Sequence, residues 1–257
     1  MLTDAKSEVL VNRIAGCALV LLLWAVPAYS QFVFSPISAD LEPAGKAGFT
    51  TFTAANRTDS AIAVRVRMLT REIGEDGTER NEPVGKELFT VYPGQLVLEP
   101  GQERSVRVSW KGPETVEREL AFRVLAEQLP VDFTGEDDSE TGNRASIDIR
   151  LKYLGTVYIL PKNGKAQIQA GIVGRDGVQA DLVLENTGTA HAILKNLRVV
   201  VSAGTDQDWA GYQLGSKDLS ALAGANMLAG GRRVAAITLP EGFPDGPARV
   251  EVYYDYP

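Results

Sequence analysis

The chain has 257 residues, 44% of them hydrophobic and 23% charged, with a formal net charge of −7. That composition supplies a folded core and excludes wholesale disorder, while the acidic balance excludes sequence-independent nucleic-acid binding, which needs a basic footprint. One Cys and one His in the whole chain exclude a zinc site and a Cys- or His-based catalytic centre.

The first thirty residues read as an address rather than as fold. Arg13 precedes an uncharged run from Ile14 to Val26, and Pro27-Ala28-Tyr29-Ser30 gives a small-x-small pattern before Gln31. A basic start, an apolar stretch too short for a comfortable membrane span and a small-residue cut site predict a secretory signal peptide over 1–30. Ile14-Ala15-Gly16-Cys17 resembles a bacterial lipoprotein box, but its cysteine stands before the apolar stretch instead of after it. Cleavage would leave 24 basic and 31 acidic residues and no cysteine. Exported proteins live where disulfides persist; this one is expected to hold together by core packing alone.

From Phe32 onward the dominant period is two. Phe49, Thr51 and Thr53 alternate with Thr50, Phe52 and Ala54 until Asn56-Arg57-Thr58-Asp59 breaks the run. Ile62, Val64, Val66 and Met68 alternate with Arg65 and Arg67, and Glu75-Asp76-Gly77-Thr78 is a hairpin signal. Leu88–Tyr92 ends at Pro93-Gly94, Leu96–Leu98 at Glu99-Pro100-Gly101, and Val106 and Val108 lead to Trp110. Leu120–Leu129 is extended and stops at Pro130. Runs of this length with Gly/Pro punctuation predict antiparallel β-sandwich.

Thr134–Ala145 is polar and reads as a solvated loop; its acidic residues fit no EF-hand spacing. Ile147, Ile149, Leu151, Tyr153, Gly155, Val157 and Ile159 then alternate with Asp148, Arg150 and Lys152 over thirteen residues, twice the usual strand length. Pro161–Lys165 is a linker signal. A second strand series follows at Gln167–Val173, Ala180–Glu185, Ile193–Ser202, Val234–Leu239 and Ala248–Tyr254, with a weak helical pattern near Ala221–Leu228. Asn186-Thr187-Gly188 echoes Asn56-Arg57-Thr58, a strand running into an Asn-led turn. The organisation expected is a signal peptide over 1–30, a domain over 31–162 and a smaller domain over 163–257.

In this order the segments resemble the periplasmic pilus chaperones of the chaperone–usher pathway. Ser35–Pro43 is similar to the family's first strand, Tyr92–Gln102 to its proline-punctuated middle, and Phe122–Pro130 to the strand ending in Glu-x-Leu-Pro. In the second half Leu182–Asn186, Leu228–Leu239 and Tyr253–Tyr256 carry the likeness. The resemblance implies an all-β protein of two immunoglobulin-like sandwiches set in an L. It also implies donation of the long last strand of domain 1 to a fibre subunit that lacks one strand. Main-chain pairing gives sequence-tolerant recognition, and alternate side chains fill the subunit's open groove. Here the donors would be Ile147, Ile149, Leu151 and Tyr153, each contributing ~1.5–3 kcal/mol of apolar burial. An alternating strand is also what one half of a self-contained sandwich looks like, and that reading stands beside it.

The family anchors the subunit's C-terminal carboxylate with two basic side chains. In its best-known branch one is an Arg in the first strand and the other a Lys in the last strand of domain 1. This chain has Pro36, Ile37 and Ser38 at the first place and Leu154 near the second, which departs from that pair. A less common branch uses an Arg in the strand before Glu-x-Leu-Pro, and Arg123 matches that place. Arg suits bidentate carboxylate contact, and Arg150 and Lys152 are candidates for the second charge. Arg123 in an internal salt bridge, and Arg150 and Lys152 as ordinary edge-strand charge, are the plain alternatives.

The partners implied are pilin-like subunits and an outer-membrane usher, with no nucleic acid, no small-molecule substrate and no cofactor, and with a long strand that invites self-association. No Gly-x-x-x-x-Gly-Lys-Ser/Thr loop for ATP is present. The place of action implied is the periplasm. Two readings compete: a secreted β-sandwich module of a surface fibre, and a carbohydrate-active sandwich using Asp137 and Asp138, which sit in a loop without a partner signal. His191 reads as a surface loop residue with no role, and Trp110 as core or domain rim.

Overall fold

The computed structural model describes residues 32–130, 150–203 and 211–255. Residues 1–30, expected as a signal peptide, residues 134–145 with Asp137 and Asp138, expected as a loop, and Ile147 and Ile149 of the long alternation lie outside the described residues.

Among the described residues eleven strands precede residue 160: β1 Phe32–Ser35, β2 Ser38–Leu41, β3 Phe49–Asn56, β4 Ile62–Thr70, β5 Glu72–Ile73, β6 Glu79–Arg80, β7 Phe89–Tyr92, β8 Gln95–Leu98, β9 Glu103–Trp110, β10 Leu120–Gln128 and β11 Lys152–Ile159. They form a four-stranded sheet in the order β1-β3-β9-β7 and a five-stranded sheet in the order β2-β11-β10-β4-β8, with β5 and β6 as a separate hairpin. The period-two pattern chooses the faces. Phe52 and Ala54 of β3, Val106 and Val108 of β9, and Val64, Val66 and Met68 of β4 are all buried in the core between the sheets. Aromatic side chains fill it: Phe34 stacks on Phe52 at 5.1 Å, and Phe89 meets Trp110 and Phe122 edge-on at 5.1 and 4.9 Å. Burying such rings is the largest favourable contribution a small core can make.

β11 pairs antiparallel with β10 along its whole length and parallel with β2 over Thr156–Ile159. Gly155 belongs to the inward-facing series and marks the point where β2 joins. A Cβ there would stand 2.9 Å from Val124 Cγ1 and 3.0 Å from the Ile37 carbonyl oxygen, so only glycine fits without a shift.

Eight further strands build the second sandwich: β12 Ile168–Asp176, β13 Gln179–Asn186, β14 Ala192–Ile193, β15 Lys195–Ala203, β16 Tyr212–Gln213, β17 Asn226–Met227, β18 Arg232–Thr238 and β19 Ala248–Asp255. One sheet runs β12-β13-β18, a second β16-β15-β19, and β14 pairs with β17. The core is mostly aliphatic, with Leu182, Leu184, Leu194, Leu222, Met227 and Ile237 fully buried. The weak helical pattern near Ala221–Leu228 gives turns and then β17. Ala223 N–H reaches the Leu219 carbonyl at 2.8 Å, but Gly224 takes φ +74° and turns the chain. Both sandwiches lie within one compact unit of the chain.

The two Asn-led turns are one device used twice. Asn56 is fully buried; its amide donates to the carbonyls of Ser60 and Leu98 at 2.8 and 2.9 Å, and its oxygen accepts from the Thr58 N–H and hydroxyl. Asn186 is equally buried. It donates to the carbonyls of Ala190 and Met227 at 2.8 and 3.0 Å and accepts from the N–H groups of Gly188 and Gln167. Each side chain satisfies backbone groups that the end of a strand leaves exposed inside the protein.

Candidate functional site

The five-stranded sheet of the first sandwich has an inner and an outer face. Register places Arg123 opposite Thr156 of β11 and Leu69 of β4, Leu125 opposite Leu154 and Arg67, and Glu127 opposite Lys152 and Arg65. These residues share the outer face, while Phe122, Val124 and Ala126 point into the core. Two carboxylates organise that face. Glu127 is buried and takes salt bridges from Arg67 at 3.2 Å, Arg65 at 3.4 Å and Lys152 at 3.8 Å. Glu79, delivered by the β5–β6 hairpin, takes the other cluster.

Arg123 Nε donates to Glu79 Oε1 and Arg123 Nη2 to Glu79 Oε2, both at 2.6 Å. Arg71 Nε donates to Glu79 Oε2 at 3.2 Å. Behind the carboxylate, Arg123 Nη1 donates to Thr156 Oγ1 at 2.5 Å and Arg71 Nη1 to the Tyr158 hydroxyl at 2.8 Å. Burial pushes the Glu79 carboxyl up, but the hydrogen bond from Arg123 and the charges of Arg71 and Arg123 outweigh it and hold it below its ordinary range.

The hairpin carrying Glu79 folds as its sequence predicts. Gly74 N–H donates to Thr78 O at 2.9 Å, Asp76 caps the Thr78 N–H and hydroxyl, and Gly77 takes φ +86°. Its tip touches the second sandwich: Val234 N–H donates to the Glu75 carbonyl at 3.0 Å and Arg232 pairs with the Glu75 carboxylate.

Tyr158 is the other link. Its hydroxyl also accepts from Asn226 Nδ2 of β17 at 2.7 Å, and its ring stacks on His191 with centroids 4.0 Å apart and planes 10° from parallel. His191 Nδ1 lies 2.8 Å from Glu119 Oε2, and the same oxygen accepts the His191 N–H at 3.0 Å. The Glu119 side chain is 0% exposed. Glu119 N–H in turn donates to the Thr189 carbonyl at 2.9 Å. Asp40 of β2 lines the same 230 Å³ cavity as Glu119 and His191. Burial pushes its carboxyl up, offset in part by the charge of His191 and reinforced by Glu119.

The anchor candidates therefore separate. Arg123 is paired internally with Glu79. Lys152 is exposed and turned toward Glu127, four residues along β11 from Thr156, so it is not brought beside Arg123. Arg150 is exposed just before β11. Of the donor candidates, Leu151 and Tyr153 are half-buried against the core of the first sandwich. The Tyr153 ring meets Phe32 edge-on at 5.2 Å, and its hydroxyl donates to the Phe32 carbonyl. His191 lies in a loop as expected, but it is packed rather than a free surface residue: its ring has Tyr158 on one face and Glu119 at its edge, where the two sandwiches touch. Arg71, Glu79, Thr156 and Tyr158 were missed as site residues. The one available signal was the charge on the hairpin at 75–80, which reads as solvated in isolation.

No family model matches the chain, and no curated protein matches it by sequence. Solved structures do. The class 5 fimbriae chaperone CfaA matches with a TM-score of 0.57 at 14% identity, over 87% of this chain and 99% of that one. A chain of the chaperone–tip adhesin complex of CFA/I fimbriae biogenesis matches with 0.56 at 15% identity, over 87% and 98%. A chain of the CsuC–CsuE chaperone–tip adhesion subunit complex, from the archaic chaperone–usher Csu pili of Acinetobacter baumannii, matches with 0.54 at 13% identity, over 87% and 97%. The fold of this chain is the two-sandwich fold of fimbrial chaperones, in agreement with the sequence resemblance.

Proposed function

We propose that this chain is a non-enzymatic periplasmic chaperone that binds fibre subunits by strand donation and delivers them to an outer-membrane usher. Residues 1–30 act as its export signal, and 31–162 and 163–257 as its two domains. The observation that carries this reading is the fold, matched along nearly the whole length of chaperones, two of them in structures of complexes with tip subunits. The donated strand is the N-terminal half of β11 and the segment leading into it, beyond the stretch that β2 covers, with Ile147, Ile149, Leu151 and Tyr153 as its apolar series. Such a segment supplies a subunit with main-chain partners and groove-filling side chains that would otherwise invite aggregation. Arg123 is the residue we assign to the subunit's C-terminal carboxylate. Lys152 and Arg150 lie along the strand as auxiliary charge.

The test is isolation of the tagged protein from fibre-producing cells, comparing wild type with Leu151→Asp and Arg123→Ala. A stoichiometric small β-rich subunit should accompany the wild type and be lost from both folded variants. A wild type that comes down alone from such cells would sink the chaperone reading in favour of a structural module of the fibre. Loss in Leu151→Asp only would keep strand donation and remove Arg123 from the anchor.

A further inference from the structure

We propose that Glu79 is a built-in occupant of a carboxylate site formed by Arg71 and Arg123, and that the terminal carboxylate of a bound polypeptide takes its place. The inference deepens the assignment of Arg123 above and rests on it.

The site is organised independently of its occupant. Thr156 holds one Nη of Arg123 and Tyr158 one Nη of Arg71, so both guanidinium groups are positioned by atoms that stay when the carboxylate leaves. Asn226 fixes Tyr158 from the second sandwich. The remaining donors point at Glu79 alone: two from Arg123 in a fork that meets both oxygens, and one from Arg71. That is the arrangement by which arginine recognises any planar carboxylate, whatever chain bears it.

Exposure gives the direction of approach. The side chains of Arg71 and Arg123 are 7% and 15% exposed, and that of Glu79 is 23% exposed. The cations line the floor and the carboxylate lies toward solvent. Two cations facing one anion leave an excess positive charge on the site, which attracts a further carboxylate from solvent.

The occupant also sits on a small element. β5 and β6 are two residues each, and they pair only with one another. The tip of this hairpin is held by Val234 and Arg232 through Glu75, so the hairpin stays in place while the Glu79 side chain alone swings off the arginines. A carboxylate held by such a hairpin satisfies the arginines while the site is vacant of a partner, and it competes with every weak external carboxylate. A small free carboxylate displaces it only near saturation, whereas a chain that gains affinity elsewhere displaces it at low concentration.

The test uses the full chain with labelled arginine Nε–Hε groups and N-acetylglycine as the probe, with N-acetylglycinamide as the control lacking the charge. In Glu79→Ala the signals of Arg71 and Arg123 should move on titration with the acid and stay still with the amide. The apparent affinity should be at least tenfold tighter than in wild type. In wild type, saturating probe should shift the Glu79 carboxyl carbon as the residue is displaced. A folded Glu79→Ala indifferent to the acid, or a wild type that binds it as tightly as the variant, overturns the proposal. If Glu79→Ala does not fold, Glu79→Gln carries the same comparison, and an unmoved Glu79 carbon in wild type overturns it alone. The titration needs no subunit. Its failure with subunit capture intact removes only the built-in occupant; its success with no subunit captured supports the occupant and removes the chaperone reading.

Discussion

The two sandwiches use the same strand-ending device and fill their cores differently. Asn56 and Asn186 sit at matching places, fully buried, each serving four neighbouring groups. Around the first lies an aromatic core of Phe32, Phe34, Phe52, Phe89, Trp110 and Phe122; around the second an aliphatic one of Leu182, Leu184, Leu194, Leu222, Met227 and Ile237. The turn chemistry is dictated by backbone groups that must be paired, so it repeats. Core composition answers only to volume and apolarity, so it drifts.

The sharpest way to break this comparison is through the cores. Phe52→Ala should cost about 3–5 kcal/mol and Leu184→Ala about 2–5 kcal/mol. Urea melts and calorimetry would show whether each lowers one shared transition or only that of its own sandwich. The contacts through Tyr158, Glu75 and Glu119 predict a shared one, and two transitions moving separately would contradict it. Asn56→Ala and Asn186→Ala should cost about 2–3 kcal/mol each, since each strands buried backbone partners. Equal losses would support the shared device; a neutral substitution at either would end it.

Next in size is the arginine cluster. Glu79→Gln should destabilise by about 1–3 kcal/mol near neutral pH, because two largely buried cations lose their anion. Its pH dependence sharpens a second contrast, between Glu79 and Asp40. The folded carboxyl of Glu79 titrates below its ordinary value of 4.5, so its contribution is full above that value and disappears as pH falls through the lowered one. The curves of wild type and Glu79→Gln should converge on acidification. Asp40 is held above its ordinary value of 3.8, mainly by burial, so its ionised form opposes folding. Asp40→Asn should stabilise at neutral pH, and the gain should shrink on acidification and vanish below that ordinary value. Denaturation midpoints across pH 3–7 would check both signs. The smallest effect is at the surface: Arg57→Ala, which removes the half-exposed pair with Glu103, should change stability by less than about 1 kcal/mol.

The parts of this fold legible in the sequence are those governed by near neighbours. Alternation at Ile62–Met68 and Val106–Trp110 gave both the strands and their inner faces, and Asp76-Gly77 gave the hairpin. Both Asn-led turns were visible because Asn bonds within a few residues of itself. The arginine–Glu79 cluster was not legible, because its chemistry joins distant positions. Glu79 meets Arg123 44 residues away, and Tyr158 meets Asn226 68 residues away. The plain alternative for Arg123, an internal salt bridge, is what the free protein contains, although its partner could not be named in advance. Alternation through β11 also understates burial. From Gly155 to Ile159 both faces are covered, because Thr156 and Tyr158 meet the arginines and the second sandwich. A period of two reports which face is apolar and is blind to polar side chains buried by another layer.

The chain carries a single histidine, and it lies face to face with Tyr158 where the sandwiches touch. Its ring protons therefore give lone signals in an otherwise crowded spectrum, displaced by the ring current of the tyrosine beneath. Any sliding or tilting of one sandwich against the other changes that displacement. The protein thus comes with its own goniometer, readable without a label in the intact chain.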